Sequence, residues 1–244
     1  MRGASTICEN VTAFGELSPM ALAALADGFE LLSVSFAFPV KELAEALTSG
    51  AFQSDADTCL KELGAGGAPE FVVANDEKQL FASMKKEFSR LYHSPGRLSI
   101  LYLYESAFLF VERGAEGYPT LFANPITNSV ETIMKEAAFL PETAHREPVD
   151  SIWQECDLMR HLLTQALARR LSKEEKGDTE VLSWLSRAEL FGREHVATWM
   201  ADFMRATIEC AQIPAYRYFA QIGQRIIYYL ENVLRNTELP PARI

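Results

Sequence analysis

Metal-binding and disulfide patterns are missing from this sequence. Its four cysteines, Cys8, Cys59, Cys156 and Cys210, lie far apart with no C-x-x-C pair. That excludes a cysteine zinc site and a disulfide framework and leaves reduced thiols, as in a cytosolic protein. The four histidines (His93, His145, His161, His195) show no H-x-x-x-H or H-E-x-x-H spacing, so a helix-borne zinc site is excluded too. Asp157 and His161 read as an exposed i,i+4 pair rather than as two ligands. Phosphate and nucleophile motifs are absent: there is no G-x-G-x-x-G after a strand, no G-x-x-x-x-G-K-[ST] and no G-x-S-x-G. The N-terminal "MRGASTICENVTAFGE" has no apolar stretch after its arginine, so no secretory signal is expected. The longest apolar window, "MALAALADGFELLSVSFAFPV", carries Asp27 and Glu30, each costing roughly 2.5–3.5 kcal/mol at a bilayer centre. A soluble chain that neither catalyses a reaction nor holds a cofactor or metal is the expectation.

Positive charge is also scarce. Against 33 Asp+Glu there are 23 Lys+Arg, a net charge of −10 over 244 residues. Such a surface repels nucleic acid and anionic membrane and attracts cationic partners.

What is present is helical periodicity. Ser18-Pro19 opens a helix over 18–37 with Leu22, Leu25, Phe29, Leu32 and Phe36 on one face. "VKELAEAL" supplies a short helix after Pro39, and "GAGGAP" (64–69) is a loop. A helix capped by Asn75 or Asp76 carries Leu80, Met84, Phe88 and Leu91, and "NPITNSVETIMKEAAFLP" gives another between prolines. Residues 98–113 read either as a strand or as a buried helix. Beyond Pro148, a stripe from Val149 through Ile152, Trp153, Cys156, Met159 and Leu163 continues to about Leu171. Val196, Trp199, Met200, Phe203 and Thr207 mark the next helix, and Phe219, Ile222, Ile226, Leu230 and Val233 the last. The fold expected is all-α, nine or ten helices in two lobes: 1–140, a hinge at 141–147, and 148–244. The three tryptophans and Cys156 are expected in the core.

"EPVD" (147–150) begins the strongest stripe. With Pro148 at the first helical position, Asp150 falls near the third, where a carboxylate gains about 0.3–1 kcal/mol from the helix's positive end.

Three blocks carry a family resemblance. "EPVDSIWQECDLMRHLL" resembles the E-P-x-D-H-x-G-x-E-x-x-F-M motif of the TorD/DmsD/NarJ redox-enzyme maturation chaperones. "EFSRLYHSPG", followed by "YES", resembles that family's Y/F-x-R-L-F-x-G-P-G…P-Y-E-S segment. "LFGREHVATWMADFMRAT…AYRYFAQIGQRII" resembles its F-x-x-E-H-L-x-x-W-x-P-x-F helices. The blocks follow the family's order over roughly residues 80–230. Ser151 and Trp153 stand where the family has histidine and glycine, and Ser94 replaces a glycine ahead of Pro95 and Gly96.

The resemblance implies an all-helical cytoplasmic chaperone. It would bind the N-terminal twin-arginine signal peptide of a molybdopterin oxidoreductase and hold the apoenzyme until cofactor insertion. The peptide-binding residues it implies are Asp150, Glu147, Pro148, Ser151, Tyr92, Leu91, Pro95 and Glu105. Some members form lobe-exchanged dimers, so a lobe-exchanged homodimer is an expectation as well. Two other readings stay open: a NarJ-like assembly chaperone for a nitrate reductase subunit, and an all-α regulatory or scaffolding domain in which "EPVD" is only a cap.

Overall fold

In the computed structural model, the described residues are 12–72, 76–93, 100–172 and 177–236. Among them are ten α-helices and no strand, so the all-α expectation holds. The first is α1 (Pro19–Phe36). Ser18 Oγ accepts from the Ala21 N–H at 3.1 Å, and Pro19 occupies the first helical position, as the sequence predicts. After Pro39 comes α2 (Lys41–Ser49), whose C-cap Gly50 takes φ = 80° and turns the chain straight into α3 (Ala51–Glu62). Asp76 caps α4 (Glu77–Tyr92) by accepting from the Gln79 N–H at 2.9 Å.

The ambiguous stretch divides. Residues 100–103 are irregular, Tyr104 makes a single bridge to Ser151, and α5 follows (Glu105–Glu112). Then come α6 (Pro125–Glu136), capped by Asn124, and α7 (Ile152–Leu171). A long helical rod consists of α8 (Gly177–Phe191), a π-turn at Gly192–Val196, and α9 (Ala197–Cys210). Three residues lead from it into α10 (Pro214–Arg235). Both α3 and α8 lie outside the helices that periodicity singled out. α3 is mostly polar, with Phe52, Ala56, Cys59 and Leu60 as its buried face.

Packing is continuous along the chain. α1 lies along α7, α7 on α8, and α9 on α10, and one buried apolar cluster runs from Ala13 to Leu234. That cluster crosses 141–147, where Glu142–His145 form a 3-10 turn. Among the described residues α1 alone is long and apolar enough to cross a bilayer. Its stripe from Leu22 to Phe36 is instead sealed in this cluster, where it serves as a core helix. Phe203 of α9 joins four elements, with ring centroids 5.3 Å from Phe36, 5.5 Å from Trp199, 5.9 Å from Phe108 and 6.0 Å from Tyr92.

The three free thiols described, Cys59, Cys156 and Cys210, form no disulfide. Burial raises the Cys156 thiol well above its ordinary range and pushes Cys59 up to about 12, so both are inert. Trp199 is fully buried; Trp153 and Trp184 are partly so. Asp157 and His161 make no hydrogen-bonded pair among the described residues. Asp157 accepts from Arg160 Nε at 2.7 Å, while the His161 ring stacks on Phe139 at 4.4 Å.

Candidate functional site: an interlocked motif frame and a neighbouring groove

Asp150 does not sit in the first turn of α7. That helix starts at Ile152 with Ser151 as its N-cap, so Asp150 precedes the cap. Its carboxylate works on other helices. Oδ2 accepts from the Ser106 N–H at 3.0 Å, and the Asp150 backbone carbonyl accepts from the Glu105 N–H at 2.8 Å. These are the first two N–H groups of α5, a helix whose own N-cap Tyr104 offers no side-chain bond. Oδ1 accepts from Thr127 Oγ1 at 2.9 Å, in the first turn of α6. The return strap is the Ile152 N–H, which donates to the Leu103 carbonyl at 2.8 Å. Asp150 thus caps α5 from 44 residues away, braces α6, and anchors the start of α7.

A second buried network lies alongside. Glu105 Oε2 meets His195 Nδ1 at 2.7 Å, and Glu105 Oε1 accepts from Thr198 Oγ1 at 3.1 Å. The other His195 nitrogen meets Ser129 Oγ at 3.0 Å. Glu155 Oε2 accepts from Trp199 Nε1 at 3.0 Å. Burial, followed by the charges of Glu105 and Asp150, lifts the Glu155 carboxyl well above its ordinary range, so it stays protonated. Sequence reasoning missed both Glu155 and His195. The signal for Glu155 was an acid between Ile152 and Met159 on an apolar stripe; for His195 it was the E-H of the third block. His195 lies in the π-turn, whose wider winding sets its ring against Glu105.

Two chemistries suggest themselves here, and geometry weighs against each. Donor atoms of Glu105, Glu155 and His195 fall within 4.8 Å of one another, yet both histidine nitrogens already have partners, Nδ1 in Glu105 and Nε2 in Ser129. Ser129, His195 and Glu105 follow in Ser-His-Glu order, but Ser129 lies within α6. Helical N–H groups around it are spent on the helix, so no pair is left to receive an oxyanion.

Most of the described residues in the predicted peptide-binding set are turned inward. Asp150 and Ser151 are 0% exposed, Glu105 2%, Leu91 0% and Tyr92 5%. Pro148 is buried as well, and Glu147 is half-buried. Pro95 and Gly96 lie outside the described residues. Glu147 sits close enough to Tyr104 that, with burial and Asp150, it helps push that hydroxyl up to about 12. Trp153, in the place of the family's glycine, packs edge-on against Tyr104 at 6.1 Å, and its carbonyl accepts from Ser33 Oγ of α1. From the upstream block, Glu87 accepts from the Gln212 N–H and Arg90 donates to the Cys210 carbonyl at 2.7 Å, clamping the α9–α10 turn.

All three blocks therefore lock onto one another: "EFSRLY" on the α9–α10 turn, "YES" on "EPVD" and on His195. Outside this frame, α1, α2 and α3 enclose a groove of about 530 Å³, lined by five carboxylates and a run of apolar side chains.

No curated protein and no solved structure matches the chain. The family described as nitrate reductase delta subunit matches residues 35–205 and so takes in most of the interlocked frame, including "EFSRLY", "YES", "EPVD" and the E-H turn. That match spans more than two thirds of the 244 residues. The chain belongs to the nitrate reductase delta subunit family, the NarJ/TorD-type chaperones of redox-enzyme maturation, and like them is not an enzyme.

Proposed function

We propose that this chain holds the N-terminal signal of a molybdopterin-containing oxidoreductase in the cytoplasm until the cofactor has been inserted. The observation that carries the reading is the family match over residues 35–205. The surface suits a twin-arginine leader, because an excess of ten negative charges draws in a cationic segment and guanidinium groups pair bidentately with carboxylates. Asp150, Ser151, Glu105, Leu91, Tyr92 and Pro148 serve the client indirectly in this reading, by fixing how α4, α5, α6 and α7 meet. Glu147, half-buried at the rim, is the member of that set open to contact. In a lobe-exchanged homodimer opened at 141–147, the α1–α7 packing would re-form between two chains.

A second reading is favoured by the family's own description. The client would be a nitrate reductase subunit whose N-terminal segment is an amphipathic helix without an arginine pair. Calorimetric titration with three peptides separates the two: a twin-arginine leader, its Lys-Lys version, and an amphipathic helix lacking both. Binding that weakens at least tenfold on Arg→Lys supports the first. Equal affinity for the first two, with binding of the third, supports the second. A folded sample that binds none of them refutes both.

A further inference from the structure

We propose that the groove between α1, α2 and α3 is where the client's leader docks, taking a basic pair at one end and the start of an apolar run at the other. This inference rests on the reading of the chain as a leader-peptide chaperone. Asp27 and Glu30 of α1, Glu42 of α2, and Asp55 and Glu62 of α3 all line the groove, with no lysine or arginine among its lining residues. None of the five takes part in an ion pair among the described residues, whereas Lys41 and Lys61 nearby are committed to Glu77 and Asp57. Like charges are crowded there: burial, then Glu30, Glu62 and Asp55, raise the Asp27 carboxyl above its ordinary range. Unneutralised acids held side by side repel one another unless a cation joins them.

The apolar half continues along α1. Leu31 and Val34 follow Glu30 on its groove side, and Val40, Leu43 and Ala46 carry the lining onto α2. Val34 is 45% exposed and Val40 54%, with Phe38 at 56% nearby. Gly28 lets α3 and α10 approach α1 closely beneath this region. A Cβ there would meet Cys59 Sγ and Ile226 Cδ1 at 3.2 Å, and Cys59 Sγ donates to the Ala24 carbonyl, so α3 lies tightly against α1. A volume of about 530 Å³ admits a few side chains, enough for the arginine pair and the first turn of the apolar run.

Two other hollows among the described residues differ in character. One between α9 and α10 carries Arg205 and Arg225 together with Asp202 and Glu231, with Arg205 already paired to Asp202. Another, beside α5, has Glu105 and His195 as its floor, both engaged in the buried network.

The test uses the full chain and a fluorescein-labelled peptide with an Arg-Arg pair ahead of a Leu/Phe-rich run. A fourfold variant, Asp27→Asn, Glu30→Gln, Asp55→Asn and Glu62→Gln, is compared with a control, Glu136→Gln with Glu142→Gln. The fourfold variant is expected to bind at least tenfold more weakly, with a flatter salt dependence and a melting temperature equal to or above wild type. The control is expected to bind as wild type does, and Val34→Ser about threefold more weakly. Wild-type binding that survives the fourfold change overturns the groove while leaving the leader-binding reading intact. A wild type that binds no peptide removes that reading and this one together. A wild-type dimer that the fourfold change splits, at unaltered peptide affinity, assigns the groove to a second copy and overturns the proposal.

Discussion

Replacing Asp150 distinguishes a framework role from a recognition role, because two substitutions part company. In Asp150→Ala the Ser106 N–H is left buried without an acceptor, which costs about 1–3 kcal/mol. Thr127 Oγ1 loses its 2.9 Å acceptor but can turn towards the Leu121 carbonyl at 3.3 Å, a smaller loss of roughly 0.5–1 kcal/mol. The negative charge facing the first turns of α5 and α6 also goes, at about 0.3–1 kcal/mol per helix. The loss is therefore about 2–6 kcal/mol, which lowers the melting temperature of a chain this size by roughly 4–24 °C. Asp150→Asn behaves differently. Its amide oxygen keeps the Ser106 bond and its NH2 donates to Thr127 Oγ1, so the loss is the charge term alone, about 1 kcal/mol or 2–4 °C. Thermal unfolding followed by circular dichroism reads both. Equal damage from the two substitutions, or an alanine variant as stable as wild type, refutes the capping account.

Two further outcomes follow from the buried network and from the α2–α3 turn. Because the Glu155 carboxyl stays protonated when folded while the unfolded chain releases that proton above about 4.5, burying it costs stability increasingly as pH rises. Glu155→Gln keeps an acceptor for Trp199 Nε1 and removes that dependence, so its advantage over wild type should grow as pH rises above about 4.5, by no more than about 1.4 kcal/mol per pH unit; a difference in denaturant midpoints that stays constant as pH rises contradicts the assignment. Gly50→Ala places a Cβ on a φ of 80° with open space around it, so backbone strain alone should lower stability by about 1–2 kcal/mol, measured by urea unfolding.

The helices that were legible are those whose apolar spacing is dense. Leu22 to Phe36 in α1 and Phe219 to Leu230 in α10 repeat at three and four residues, and local caps at Ser18, Asp76 and Asn124 mark where helices begin. α3 escaped because its buried face, Phe52, Ala56, Cys59 and Leu60, includes two small side chains in an otherwise polar stretch. The start of α7 was misplaced because "EPVD" fits a first turn locally. What moved it to Ile152 is the bonding of Asp150 and Leu103 across the strap to α5, which no local pattern encodes.

Sequence alone determined the helical class, the net negative charge and the family's blocks, since each depends on residue type and near-neighbour spacing. Tertiary structure decided what those blocks do. Glu105 meets His195 across 90 positions and Asp150 meets Ser106 across 44, so their carboxylates are turned inward as braces. The same packing brings five acids of α1, α2 and α3 to line one groove, none of them in an ion pair among the described residues. Burial and partner choice are properties of how helices stack, and stacking brings together residues that the linear order keeps apart.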